Sequence, residues 1–107
     1  MKAFVGNKEY SIRWGYKKVE VIYGKNHGRP ILESSICTVS EVIPGRTGSA
    51  RFVVLGSGSA VQKEGDVPNR SFARKLVLTR AIANLSKDIR TGIWNAFHTR
   101  NVQTQIV

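Results

Sequence analysis

A chain of 107 residues, 41% hydrophobic and 22% charged, has the length of one domain and the composition of a folded one, which excludes a disordered tail and a cleft between two lobes. Its 17 Lys and Arg against 7 Asp and Glu give a formal net charge of +10, an excess that repels itself and attracts polyanions at long range. The single cysteine, Cys37, excludes an internal disulfide and a cysteine-based zinc site and suits a reducing compartment.

No apolar run approaches the roughly 20 residues that span a bilayer, and Met1-Lys2-Ala3-Phe4-Val5, broken at once by Gly6-Asn7-Lys8-Glu9, lacks the pattern of a secretory signal. The expected location is therefore the cytoplasm, without a membrane partner. The charge has a bland reading, that it only aids solubility. The sharper readings are nucleic acid, a nucleotide or an anionic membrane surface.

The first two-thirds of the chain carry strand patterns. Ala3-Phe4-Val5 is short. Tyr10 to Trp14 and Lys18 to Tyr23 each alternate side-chain character as half-buried strands do, and Trp14-Gly15-Tyr16-Lys17 between them predicts a glycine turn and a hairpin. Gly24 to Arg29 is a basic loop bracketed by glycine. Ile31 to Val42 is rich in β-branched residues, Pro44 to Gly48 is a turn by composition, and Arg51 to Leu55 is the most apolar strand. Ala60-Val61 adds a short continuation beyond Gly56-Ser57-Gly58-Ser59, which suits a bulge or bend.

The pattern then changes. Lys63 to Pro68 is a linker with breakers. From Ser71 to Leu85 the chain lacks Gly and Pro, and Leu78, Ala81, Ile82 and Leu85 make one apolar helical face, with Asn69 or Ser71 as N-cap. Ser86 caps a second helix with Asp88 in its first turn and Ile89, Ile93, Ala96 and Phe97 as its buried stripe. Gly92 weakens that helix, and the tail after Arg100 is polar and expected to fray. Strands followed by helices predict an α+β fold: an N-terminal antiparallel β-sheet over about 1–62, then two C-terminal α-helices over about 70–100, packed on one face. One domain covers 1–107.

Enzyme signatures are missing. Gly56 and Gly58 are not followed by the Lys-Ser/Thr of a phosphate-binding loop. Gly56-Ser57-Gly58-Ser59 resembles a nucleophile elbow only superficially, since neither His27 nor His98 has the context of a base. The histidines and Cys37 lack metal-ligand spacing, and the carboxylates suggest no acid–base pair. The expectation is a binding protein, not an enzyme, with no metal and no cofactor.

The informative residues are arginines beside aromatics. Arg70, Phe72, Arg74, Lys75 and Arg80 open the first helix; Arg70 and Arg74 share a face near its N-terminus, where free N–H groups favour anions. Arg90, Trp94 and His98 form a stripe on the second helix, with Arg100 just beyond. A flat ring for a base and guanidinium forks for phosphates are what nucleotide recognition requires. The predicted ligand-binding set is Arg70, Phe72, Arg74, Arg80, Arg90, Trp94 and Arg100. Trp14 and Tyr16 with Arg13 and Lys17 make a second cluster. Each has a plainer reading: Trp94 and Phe72 as core or staple, Arg74 and Arg80 as solvated surface, His98 as a helix C-terminal cap.

The segment Ser71-Phe72-Ala73-Arg74-Lys75-Leu76-Val77-Leu78-Thr79-Arg80-Ala81-Ile82, with Asp88-Ile89-Arg90 and Ile93-Trp94-Asn95-Ala96-Phe97, is similar to the closing helices of the first-described Thoeris anti-defence family of phage proteins. The likeness lies in an aromatic, a basic pair, an apolar run ending in Arg-Ala, and a final Arg-x-x-Ile-Trp-x-Ala-aromatic. It departs from the family where Lys75 leads straight into Leu76 without an intervening glycine, and it does not extend closely to the strands. The resemblance implies an antiparallel sheet followed by two helices, and a sponge that binds a cyclic ADP-ribose isomer in the host cell cytoplasm without cleaving it. It also implies assembly into dimers or larger homo-oligomers. The binding residues above come from this chain's own side chains and not from the family. The alternative function is a basic nucleic-acid-binding regulatory module, which explains the charge equally well but lacks a zinc finger, an RNA-recognition strand signature or a helix-turn-helix. A weaker third reading is an inhibitor that binds an acidic protein surface.

Overall fold

The computed structural model describes residues 1–20, 31–62 and 69–106. The predicted basic loop at Gly24–Arg29 and linker at Lys63–Pro68 lie outside the described residues, as does the end of the second predicted strand, Val21 to Tyr23. The chain forms strands β1 (Lys2–Val5), β2 (Lys8–Glu20), β3 (Ile31–Pro44) and β4 (Ala50–Val61), then helices α1 (Arg70–Ile82) and α2 (Lys87–Ile106). The strands build one antiparallel sheet in the order β1-β2-β3-β4, so the predicted α+β arrangement is the observed one. No helix among the described residues is long and apolar enough to cross a membrane.

The hairpin predicted at Gly15 is not there. Gly15 lies inside β2, opposite Ile36 of β3, in an unbroken register from Glu9↔Val42 to Glu20↔Ile31. The glycine serves packing, since a Cβ at that position comes within 3.3 Å of Ile36 Cγ2. The observed tight connections are elsewhere. Gly6 (φ 63°) turns β1 into β2, and Gly48 (φ 83°) lies in the connection from β3 to β4, both in left-handed conformations that glycine adopts without steric cost.

Gly56 to Ser59 does not interrupt β4. The irregularity falls one residue earlier, where Val39 pairs with Gly56 and Ser40 with Val54, leaving Leu55 as the extra residue of a bulge. Gly56 and Gly58 have a different task. A Cβ on Gly56 collides with the carbonyl oxygen of Ala81, and one on Gly58 with the carbonyl of Val77 and the amide of Ala81. The backbone of α1 therefore rests directly on bare strand.

The Oδ1 of Asn69 accepts the Phe72 N–H at 3.0 Å and caps α1. The helix ends at Ile82, short of the predicted Leu85, whose N–H instead donates to the Ile82 carbonyl in the connecting turn. Ser86 caps α2 through its Oγ, 3.4 Å from the Ile89 N–H. Contrary to the expected fraying, α2 continues past Arg100 to Ile106. Both helices cover one face of the sheet, α1 over β3 and β4 and α2 over β1. Gly92 lets α2 approach that strand, because a Cβ there collides with Val5 Cγ2. Between sheet and helices, Ile12, Val39, Leu78, Ile82 and Ile93 are fully buried.

Gly58→Ala is expected to cost about 1–3 kcal/mol, the range for forcing extra atoms into a packed core. Gly15→Ala meets only a side chain on the open face and should stay within about 0.5 kcal/mol of the parent. Urea unfolding of the two variants makes the comparison.

Candidate functional site

Strand periodicity sends alternate residues of β2 to opposite faces. Tyr10, Ile12, Trp14 and Tyr16 face the helices; Arg13 and Lys17 face away. The cluster read from the sequence as Trp14, Tyr16, Arg13 and Lys17 is thereby split, and its two aromatics join two arginines of α1. The Arg74 guanidinium carbon lies 4.6 Å from the centre of the Trp14 ring, and that of Arg70 lies 4.6 Å from the centre of Tyr16. The two pairs keep step because two strand residues advance roughly 6.8 Å and four helical residues roughly 6 Å.

The two arginines differ in what else they meet. Arg70 donates from Nε to Glu33 Oε1 at 3.0 Å and from a terminal nitrogen to Oε2 at 3.4 Å. The Glu33 hydrogen bond, and then its charge, hold the guanidinium still more firmly protonated. Arg70 remains exposed, so solvent screens this pair and it adds little to stability. Arg74 is half-buried. Its backbone carbonyl accepts the Trp14 indole N–H at 3.2 Å, while its own Nε is buried without any hydrogen-bond partner. Among the described residues no carboxylate pairs with it. A buried, charged donor left without an acceptor costs free energy and is rare in folded proteins.

Trp14 also reaches α2, its ring centre 6.0 Å from that of Phe97. Phe97 meets Trp94 edge-on at 5.7 Å, and Trp94 stacks on His98 at 5.8 Å with an interplanar angle of 22°. The junction of β2, α1 and α2 thus holds a run of rings ending in two arginines, one neutralised and one not.

Of the predicted set the structure brings together Arg70 and Arg74, while Trp94 is linked to them only through Phe97 and Trp14. Arg80 lies apart, spanning to the far edge of the sheet and donating to the Ser59 carbonyl at 2.7 Å. Phe72 is exposed on the outer side of α1, which removes its reading as core. Arg90 is exposed one turn before Trp94. Arg100 lies on α2, but its side chain falls outside the described residues. Trp94 is half-buried against Phe97, and His98 sits in mid-helix instead of capping an end. Glu33 went unread because its link to Arg70 spans 37 residues of sequence, a distance over which no local pattern operates. A separate depression of about 480 Å³ between β1 and α2, lined in part by Lys2, Phe4, Asn95 and Thr99, holds none of the predicted residues. Among the described residues, no three His, Cys, Asp or Glu side chains converge in a metal-binding arrangement.

Cys37 is opposite Trp14 and fully buried. Burial pushes its thiol up from 9.0 to about 11, against the opposing charges of Arg74 and the N-terminal ammonium. Comparison with protein-family models, curated proteins and solved structures finds no match to this chain.

The raised thiol sets a pH dependence. The unfolded chain releases the Cys37 proton near pH 9 and the folded one near 11, so this group's stabilisation is whole below pH 9 and is lost as pH rises through 11. Urea midpoints should fall across that window, and Cys37→Ala should flatten that part of the slope.

Proposed function

We propose that this protein captures a cyclic nucleotide immune signal, a cyclic ADP-ribose isomer, and holds it uncleaved in the host cell cytoplasm as a phage anti-defence sponge. The observation that carries the ligand class is Arg74: a half-buried guanidinium, held flat on Trp14, with a buried Nε that lacks an acceptor. A phosphate meeting the terminal nitrogens of this guanidinium supplies the missing negative charge, and charge-assisted bonds of this kind are about twice as strong as neutral ones.

Arg70 is the second phosphate donor, one helical turn away, its own side chain exposed and its one carboxylate partner the half-buried Glu33. Trp94 and the outer faces of the stacked guanidinium groups offer flat surfaces for an adenine. Arg74 needs no general base beside it for this task, and tight capture without turnover asks only for complementarity to the ground state. The narrowing from phosphate-bearing ligand to cyclic ADP-ribose rests on the resemblance of the helical segment to the Thoeris anti-defence family. In this reading a second copy of the chain closes the junction on its open side, giving the small domain an enclosure that it does not build alone.

Titration with cyclic ADP-ribose isomers, followed by tryptophan fluorescence and calorimetry, tests the reading. Binding should be saturable, the ligand should be recovered intact after denaturation, and the affinity should change little between 50 and 200 mM salt, in contrast to nucleic-acid binding. Arg74→Ala should weaken it by about 2–3 kcal/mol, roughly 30- to 150-fold, and Arg74→Lys by nearly as much because the planar fork and the stack are both lost. Failure of every isomer and of ADP-ribose itself to bind would remove the proposal.

A further inference from the structure

The face of the sheet opposite the helices carries no covering element among the described residues, and its composition is ordered. The strand registers lay its side chains out in rows. Phe4, Glu9, Val42 and Phe52 form the first row, one residue from each strand. Lys2, Ser11, Ser40 and Val54 form the next, followed by Arg13, Thr38 and Ser57. Beyond them come Gly15, Ile36 and Ser59, and then Lys17, Ser34 and Val61.

Three properties of this lattice point the same way. The two phenyl rings at the ends of the first row are 66% and 49% exposed, although large aromatics are ordinarily buried. Three strand spacings separate them by roughly 14 Å, the length of about four stacked nucleotides of a single strand. The centre of the face is small and hydroxylated, and so flat enough for a chain to lie across. Finally, the cations of this face, Lys2, Arg13 and Lys17, border the hydroxyl rows, and Arg13 already extends to within 5.4 Å of the Phe52 ring centre. Glu9, the one carboxylate of this face among the described residues, sits between the phenyl rings, where base amino groups and not phosphates would pass.

We infer that this open face binds single-stranded nucleic acid, with bases stacked on Phe4 and Phe52 and the phosphate backbone crossing beside Lys2 and Arg13. Stacking on exposed rings combined with a basic track is the recurring chemistry of single-strand binding, and a net charge of +10 gathers such a polyanion at long range. A second copy of the chain is the less suitable occupant, because it brings its own net positive charge to a face whose charged side chains, Lys2, Arg13 and Lys17 against Glu9, are mostly cations. The site is separate from the Arg74 junction and does not depend on the function proposed for it.

Fluorescence anisotropy of the full chain with labelled 15-mers of deoxythymidine and of uridine tests the inference, with a duplex of the same length as comparison. Single strands should bind in preference to the duplex, and the ribose or deoxyribose preference identifies the natural source. The double variant Phe4→Ala/Phe52→Ala should lose tenfold or more in affinity, in line with the contribution of base–aromatic stacking. Arg13→Glu should weaken binding further and reduce its salt dependence, whereas Arg74→Ala should leave it unchanged. Both phenylalanines are exposed, and a thermal melt confirms that the variants fold. Absence of binding, equal binding of duplex, or a loss that follows Arg74 instead of the phenyl rings overturns the inference. So does sedimentation showing that the phenylalanine variant alters only self-association.

Discussion

The contact of α1 with the bare backbone of Gly56 and Gly58 is the constraint from which the rest of the helix-covered face follows. Without side chains on β4, the helix lies close enough for Val77 and Leu78 to be fully excluded from water and for Arg80 to reach the Ser59 carbonyl on the strand edge. That seating fixes both the height and the rotation of α1. One turn nearer its N-terminus, the same rotation aims Arg74 and Arg70 away from β4 and across the sheet onto the rings of β2. Larger residues at 56 and 58 would lift the helix and carry the guanidinium groups off Trp14 and Tyr16, although neither glycine touches them.

The free energy of the junction is unevenly distributed. The Arg70–Glu33 pair is exposed, screened by solvent, and contributes little. Arg74 is held by the Trp14 indole hydrogen bond to its carbonyl and by stacking on the same ring, yet its buried Nε is unsatisfied. The apolar packing beneath it, Ile12, Val39, Leu78 and Ile93, is complete enough to carry that cost. A structural role alone is served as well by an apolar side chain at position 74, since an apolar group carries no cost for a buried polar atom left without a partner. That unmet cost is the ground on which Arg74 is proposed as a binding group and not as packing.

The architecture was legible because its signals are local. The apolar spacing of Leu78, Ala81 and Ile82, the caps at Asn69 and Ser86, and the turn composition of Pro44 to Gly48 each act within a few residues. What was misread was also local. Gly15 between two alternating segments looks like a turn, but the alternation runs through it in phase, Ile12, Trp14 and Tyr16 all on one face, and that phase marks a single strand. Glycines 56 and 58 read as a bend because flexibility is visible in sequence, whereas the helix backbone at Val77 and Ala81, 19 to 25 residues later, is not. Arg70 and Arg74 were found from their helical spacing, while their true partners, Trp14, Tyr16 and Glu33, come from strands distant in sequence and are paired only by the fold.

The alternation that marks β2 as a single strand also divides its chemistry. Arg13, Trp14, Tyr16 and Lys17 are near neighbours in the chain, and composition alone gathers them into one basic–aromatic patch. A period of two separates them completely. Trp14 and Tyr16 go inward to serve as platforms for arginines of α1, and Arg13 and Lys17 go outward to border a flat hydroxylated face. A single strand thereby contributes to both surfaces proposed for anions: the junction, where an unsatisfied guanidinium suits a compact phosphate, and the open face, where exposed rings and dispersed cations suit an extended polymer.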